Sequence, residues 1–88
     1  MKINVDQILK QAVAAHNSGN LEEAKQFYKS ILKEQPKHPH VIHNLGLIKL
    51  SMGKVEEALE LFKVALEENS SIEQFWISYI DTLISEQQ

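Results

Sequence analysis

Cysteine is absent from the 88 residues. Disulfides, thiolate zinc sites and thiol nucleophiles are therefore excluded, and with them the small secreted folds that disulfides hold together. A basic excess is also lacking. Nine basic residues stand against twelve acids, for a net charge of −3, which argues against an electrostatic hold on nucleic acid. No apolar run approaches the roughly 20 residues that a membrane-crossing helix needs, so no membrane partner is expected. The start, Met1-Lys2-Ile3-Asn4-Val5-Asp6, turns polar at once and has no signal-peptide core. The expected compartment is the cytoplasm. There is no glycine-rich phosphate loop, no HExxH and no G-x-S-x-G. No catalysis, cofactor or metal is expected of this chain alone.

What is present is 43% hydrophobic and 24% charged, a composition of folded proteins. At this length the chain makes at most one domain, and its core is thin, hiding roughly 60–65% of the unfolded surface. Charge is uneven. Residues 1–38 hold six lysines and four acids, and residues 39–88 hold three lysines and eight acids.

A shift of 34 aligns residues 5–38 with residues 39–72. Gly19 meets Gly53; Glu22, Glu23 and Ala24 meet Glu56, Glu57 and Ala58; Leu32 meets Leu66. Tyr28 meets Phe62 and Ala12 meets Gly46. A further shift places Ile42 on Trp76 and Gly46 on Ile80. The chain thus reads as repeat one (5–38), repeat two (39–72) and an unpaired C-terminal helix (73–88).

Each repeat reads as two helices. Val5, Ile8, Leu9, Ala12, Val13 and Ala15 recur at helical spacing, as do Leu21, Ala24, Phe27, Tyr28, Ile31 and Leu32. Gly19 and Gly53 fit helix ends with positive φ. Asn20 with Glu23, and Ser70 with Glu73, have capping-box spacing. Pro36 ends the second helix, and Pro39 suits the first turn of the third. Glu22, Glu23, Glu56 and Glu57 fall in first turns, where they complement the helix dipole. Small residues let paired backbones approach, Ala12 opposite Ala24 and Gly46 opposite Ala58, with Tyr28 and Phe62 as core. No stretch alternates with period two, so no strand is expected.

The period, the paired glycines, Ala24/Ala58, Tyr28/Phe62, Pro36 and the Leu45-Gly46 pair together resemble the tetratricopeptide repeat family. Ala12, Ser70 and Ile80 depart from its pattern. The resemblance implies an all-α fold, a right-handed α-α superhelix of antiparallel helix pairs, with five helices here. It also implies that the first helix of each repeat lines a concave groove. The groove would present Asp6, Leu9, Lys10, Val13, His16 and Asn17 from repeat one. His40, His43, Asn44, Leu47 and Ser51 would follow from repeat two, then Gln74, Ile77, Ser78 and Asp81. Such a lining suits an extended peptide or a partner helix. Some members clamp a C-terminal carboxylate with lysines and asparagines. Of the matching places Leu9, Val13, Asn44, Gln74 and Ser78, only Asn44 fits, which argues against that ligand.

His38, His40 and His43 lie close in sequence, with His40 and His43 three apart. Two imidazoles on one helix face can begin a zinc or nickel site, with His16 across the groove as a further candidate. No carboxylate stands as a third ligand, so solvated groove histidines are expected instead.

The fifth helix carries Phe75, Trp76, Ile77, Tyr79, Ile80, Leu83 and Ile84 around much of its circumference, where a terminal helix should keep a polar side. Two expectations follow. Copies of the chain pair through Phe75, Trp76, Tyr79, Ile80, Leu83 and Ile84, most simply as a two-fold homodimer. Alternatively, the chain is an N-terminal piece of a larger bacterial enzyme, and its repeats position substrate. The stretch 74–81 resembles repeat modules that precede glycosyltransferase or sulfotransferase domains.

Overall fold

Five helices follow one another in the computed structural model, which describes residues 4–87. The readings that touch residues 1–3 and Gln88 lie outside the described residues. The helices are α1 (Val5–Asn17), α2 (Leu21–Glu34), α3 (Pro39–Ser51), α4 (Val55–Glu68) and α5 (Glu73–Glu86). Among the described residues there is no strand. α1 pairs with α2, α3 pairs with α4, and α5 packs on α4, in a body 46 × 27 × 18 Å.

Two kinds of connection alternate, and each has its own chemistry. α1 to α2 and α3 to α4 are three-residue turns. Gly19 and Gly53 sit there at φ of +84° and +77°, the left-handed region that glycine enters without a Cβ penalty. The turn closes by hydrogen bonds back into the helix it leaves: Asn20 N–H donates to the Ala15 carbonyl (2.9 Å) and Lys54 N–H to the Lys49 carbonyl (3.0 Å). The connections of α2 to α3 and of α4 to α5 have four residues and no glycine. At Pro39 the third helix begins with its proline in the first turn, where the missing N–H costs nothing.

Helix capping differs from one helix to the next. Asn4 Oδ1 accepts from Gln7 N–H, and His38 Nδ1 accepts from Val41 N–H, so α1 and α3 have side-chain caps. Neither Asn20 nor Lys54, which follow the glycine turns, gives a side-chain cap. Asn20 is the N-cap expected from sequence, but its side chain does not cap, because its backbone is bent to ψ 68° rather than extended as a cap requires. The expected cap at Ser70 is also corrected: α5 is entered at Ile72. Asn69 holds the preceding turn instead, its Oδ1 accepting from the Ser71 N–H (3.0 Å) and hydroxyl (2.6 Å).

The core lies in two clusters. Ala12, Ala15, Ala24, Tyr28, Ile31, Val41 and Ile48 form one, joining repeat one to α3. Ile42, Ala65, Leu66 and Phe75 form the other, joining repeat two to α5. Tyr28 and Phe62 are fully buried. Gly46 is pressed by the Phe62 ring: a Cβ added there would stand 2.5 Å from Phe62 Cε1.

Candidate functional site

Polar side chains of α1, α2, α3 and α5 meet behind the first helices of the hairpins. The Tyr28 hydroxyl, reaching out of the core, lies 3.3 Å from His16 Nδ1, with the Asn44 side chain near enough to oppose the rise of the phenol's pKa. Asn44 Oδ1 lies 3.3 Å from His43 Nδ1, and His43 Nε2 lies 2.8 Å from Ser78 Oγ. Gln74 Nε2 donates to the same hydroxyl at 3.3 Å. Because Asn44 Oδ1 can only accept, Nδ1 of neutral His43 carries the proton and Nε2 accepts from Ser78. The donors then run in one direction from Gln74 through Ser78 and His43 to Asn44. No buried side-chain nitrogen or oxygen among the described residues is left without a partner.

Burial and neighbours set the titration of these groups. Burial holds His43 below the ordinary imidazole value, His40 adds to the depression, and the Asn44 hydrogen bond opposes it. Burial pushes the Tyr28 phenol up, against the hydrogen bond from Asn44. Burial, then the His40 charge, lowers His38. In each case the low-dielectric surroundings penalise the charged form.

Beyond this chain, one face of α1 lies open. Asp6, Leu9, Lys10, Val13 and Asn17 surround a hollow of about 660 Å³ together with Ala14. Five of the groove residues expected from repeat one are thus neighbours around one space. The sixth, His16, is half-buried and engaged with Tyr28. In repeat two, His40 is exposed and sits edge-on to Phe75 at 5.4 Å, while Asn44 and Leu47 are half-buried.

His43 is a correction. Sequence groups it with solvent-facing groove histidines, yet it is 4% exposed. Its ring stacks on Phe75 with centroids 4.7 Å apart, and both nitrogens are engaged. It therefore offers no free nitrogen to a metal, and among the described residues no three metal-ligating groups converge. Phe75 is the second correction. Sequence places it in the self-association face, but it is 1% exposed, in the core under α5. Tyr79 and Leu83 are half-buried. The exposed large apolar side chains of α5 are Trp76, Ile77, Ile80 and Ile84. Trp76 Nε1 donates to the Ser70 carbonyl at 2.8 Å, so the indole is oriented although exposed.

Sequence alone makes Tyr28 a packing residue, and the structure adds a polar role for its hydroxyl beside His16. A hint was available: repeat two has Phe62 in the same place, so the hydroxyl is extra to what packing requires.

Comparison with known proteins bears on this arrangement. A family model described as tetratricopeptide repeat matches residues 15–76. Tetratricopeptide repeat protein 7A of Homo sapiens is 37% identical over 62 residues, which is 70% of this chain and 7% of that protein. The chain spans only that small share of the relative's length. No helix is long and apolar enough to cross a membrane, among the described residues.

Proposed function

The chain belongs to the tetratricopeptide repeat family, and from that premise we propose that it is a non-catalytic scaffold that binds a peptide or a partner helix along the face shared by α1, α3 and α5. Repeats of this family generally mediate protein–protein interaction. The observation that carries the reading here is the hollow on α1. Leu9 and Val13 offer an apolar floor, while Asp6, Lys10 and Asn17 at its edge can hold both signs of charge and a backbone amide. The His43–Ser78 hydrogen bond ties α3 to α5 and the His16–Tyr28 contact ties α1 to α2, which supports a pre-organised surface.

Peptides selected from a random displayed library on the immobilised chain test the proposal. They are expected to share an apolar residue flanked by polar ones, and to lose binding to a Val13→Glu variant of unchanged helicity. Failure to select any peptide, or binding that Val13→Glu leaves intact, would refute it.

Self-association through α5 is a second reading, favoured by the exposed Trp76, Ile77, Ile80 and Ile84. Burying large apolar side chains contributes roughly 1.5–3 kcal/mol each. The charges oppose a two-fold pairing, because the charged residues of α5 are Glu73, Asp81 and Glu86, all acidic. Sedimentation across a wide concentration range decides: a homodimer that Ile80→Glu dissolves supports pairing, and a monomer throughout removes it.

A further inference from the structure

α5 has little of its own to keep it helical. Its N-cap, Ile72, makes no side-chain hydrogen bond, and its last turn holds Glu86 and no basic residue. A negative charge thus stands at the negative end of the helix dipole. A helix of 14 residues is marginal in water unless it is packed. The packing comes from Phe75, Ser78 and Thr82, the buried residues of α5. Thr82 donates its hydroxyl within the helix, to the Ser78 carbonyl. Phe75 and Ser78 both meet His43. The imidazole stacks on Phe75 at 4.7 Å, and Nε2 lies 2.8 Å from Ser78 Oγ. Among the described residues this is the one side-chain hydrogen bond that α5 makes to another helix.

The groups that face His43 are neutral. They are Asn44 on its own helix, Phe62 on α4, and Phe75 and Ser78 on α5. Behind Asn44 stand Tyr28 of α2, a phenol that burial keeps protonated, and His16 of α1. The one charge that acts on His43 is that of His40, one turn back on α3, and it repels a second positive charge. The acids of α5, Glu73, Asp81 and Glu86, do not act on the ring.

We propose that His43 is a proton-operated latch: when its ring takes up a proton from solvent, α5 leaves its seat on repeat two while α1 to α4 stay folded. The hydrogen bond itself is not what acid removes, because the Ser78 hydroxyl can turn to accept from a charged ring. What acid adds is a positive charge closed off from water, with no carboxylate to answer it and His40 beside it. Water reaches that charge if α3 shifts or if α5 lifts. α3 is built into both core clusters, through Val41 and Ile48 in one and Ile42 in the other. α5 contributes a single large, fully buried side chain, Phe75, and its Trp76, Ile77, Ile80 and Ile84 are already exposed. Lifting α5 therefore gives up less buried surface. It opens Ile42, Ala65 and Leu66, which cluster with Phe75, and it removes α5 from the face shared with α1 and α3. The latch operates whether or not that face binds a peptide.

Amide hydrogen exchange of the whole chain, followed by heteronuclear NMR from pH 7.5 to 5.5 and expressed as protection relative to the unstructured rate at each pH, tests the proposal. At pH 7.5 the amides from Ser78 to Leu83 are expected to be less protected than those of Tyr28, Ile31 and Phe62, which marks α5 as an opening unit of its own. Below about 6.5 the protection of α5 is expected to fall by up to about tenfold per pH unit, the slope of one proton. The signals of α1 to α4 are expected to keep their folded positions. His43→Leu, which copies Leu9, is expected to keep the helicity and to remove the pH response of α5. His38→Asn keeps a capping side chain at the start of α3 and is expected to leave the response in place. Ser78→Ala is expected to lower the protection of α5 at every pH and to keep the slope. The ring signals of His43, read without any variant, are expected to titrate below the ordinary 6.5. Equal protection of α5, α2 and α4 at every pH, no loss below 6.5, a response that persists in His43→Leu or vanishes in His38→Asn, or a His43 ring that titrates at or above 6.5 would each overturn the proposal.

Discussion

The His43 ring lies nearly flat on Phe75, with planes 24° from parallel. A buried, neutral imidazole thus serves as an aromatic plate on one side and as a two-ended hydrogen-bonding link at its edge. The stacking needs a flat ring and the link needs two nitrogens of opposite role, which only the neutral tautomer supplies.

A pH dependence of stability follows. Burial lowers the folded-state value of His43, and His38 moves in the same direction. The unfolded chain therefore binds protons that the folded chain refuses. The contribution is fully present above the ordinary value of about 6.5 and is lost as pH falls from there through the depressed folded value. Thermal midpoints at pH 7.5, 6.5 and 5.5 are expected to decrease in that order. His43→Leu, which copies Leu9 of repeat one, is expected to flatten the profile. Glu22, lowered by its hydrogen bond and charge pairing with Lys25, acts in a separate window at and below about 4.5. A midpoint that rises on acidification through 6.5 would contradict the assignment.

Gly46→Ala sets two effects against each other. Replacing glycine in a helix interior gains about 0.8–1.0 kcal/mol of helix propensity. Forcing the buried Phe62 ring aside costs about 1–3 kcal/mol. The contact at 2.5 Å places the substitution toward the upper part of that range, so a net loss is expected in urea unfolding. Adding Phe62→Leu should recover part of the loss by freeing space.

Phe75 and Trp76 are adjacent in sequence and opposite in consequence. Phe75→Ala empties the core between α3, α4 and α5, and is expected to cost about 3–5 kcal/mol. It should raise amide exchange throughout α5. Trp76→Ala removes a half-exposed ring and one hydrogen bond to the Ser70 carbonyl, and is expected to stay within about 1 kcal/mol. Similar losses for the two would mean that α5 is seated differently on repeat two.

The helices, their order and the glycine turns were legible because they rest on local information. Apolar spacing writes the stripe of each helix, and Gly19 and Gly53 adopt the positive φ expected of them. The failures were of two physical kinds. Capping at Asn20 and Ser70 failed because backbone direction, set by the glycine turn and by the Asn69 turn, decides whether a side chain can reach the helix end. The burial of His43 failed because its partners are distant in sequence: Ser78 lies 35 residues on, and residue type alone made it look like its exposed neighbour His40. On α5 the excess of apolar residues was evident, but which of them faced inward was not. Phe75 turned inward once the helix was seated, while Ile77 stayed exposed.

Tyr28→Phe examines whether the polar chain acts as a unit. Packing should survive, since the equivalent position in repeat two is already Phe62 and both rings are fully buried. What is lost is the hydroxyl between His16 and Asn44. One hydrogen bond of this kind contributes about 0.5–1.5 kcal/mol, and His16 and Asn44, both half-buried, can recover some of it from water. The informative measurement is therefore a double-mutant cycle with Asn44→Ala, not the single loss. Asn44 also holds the His43 tautomer through Nδ1, so removing it disturbs the link to Ser78 as well. If the chain is continuous, the second substitution should cost less once the first is made, with a coupling energy of about 0.5–3 kcal/mol. Strictly additive losses would show that the Tyr28 hydroxyl and the His43–Ser78 link are independent, and that α1 and α5 communicate only through the apolar core.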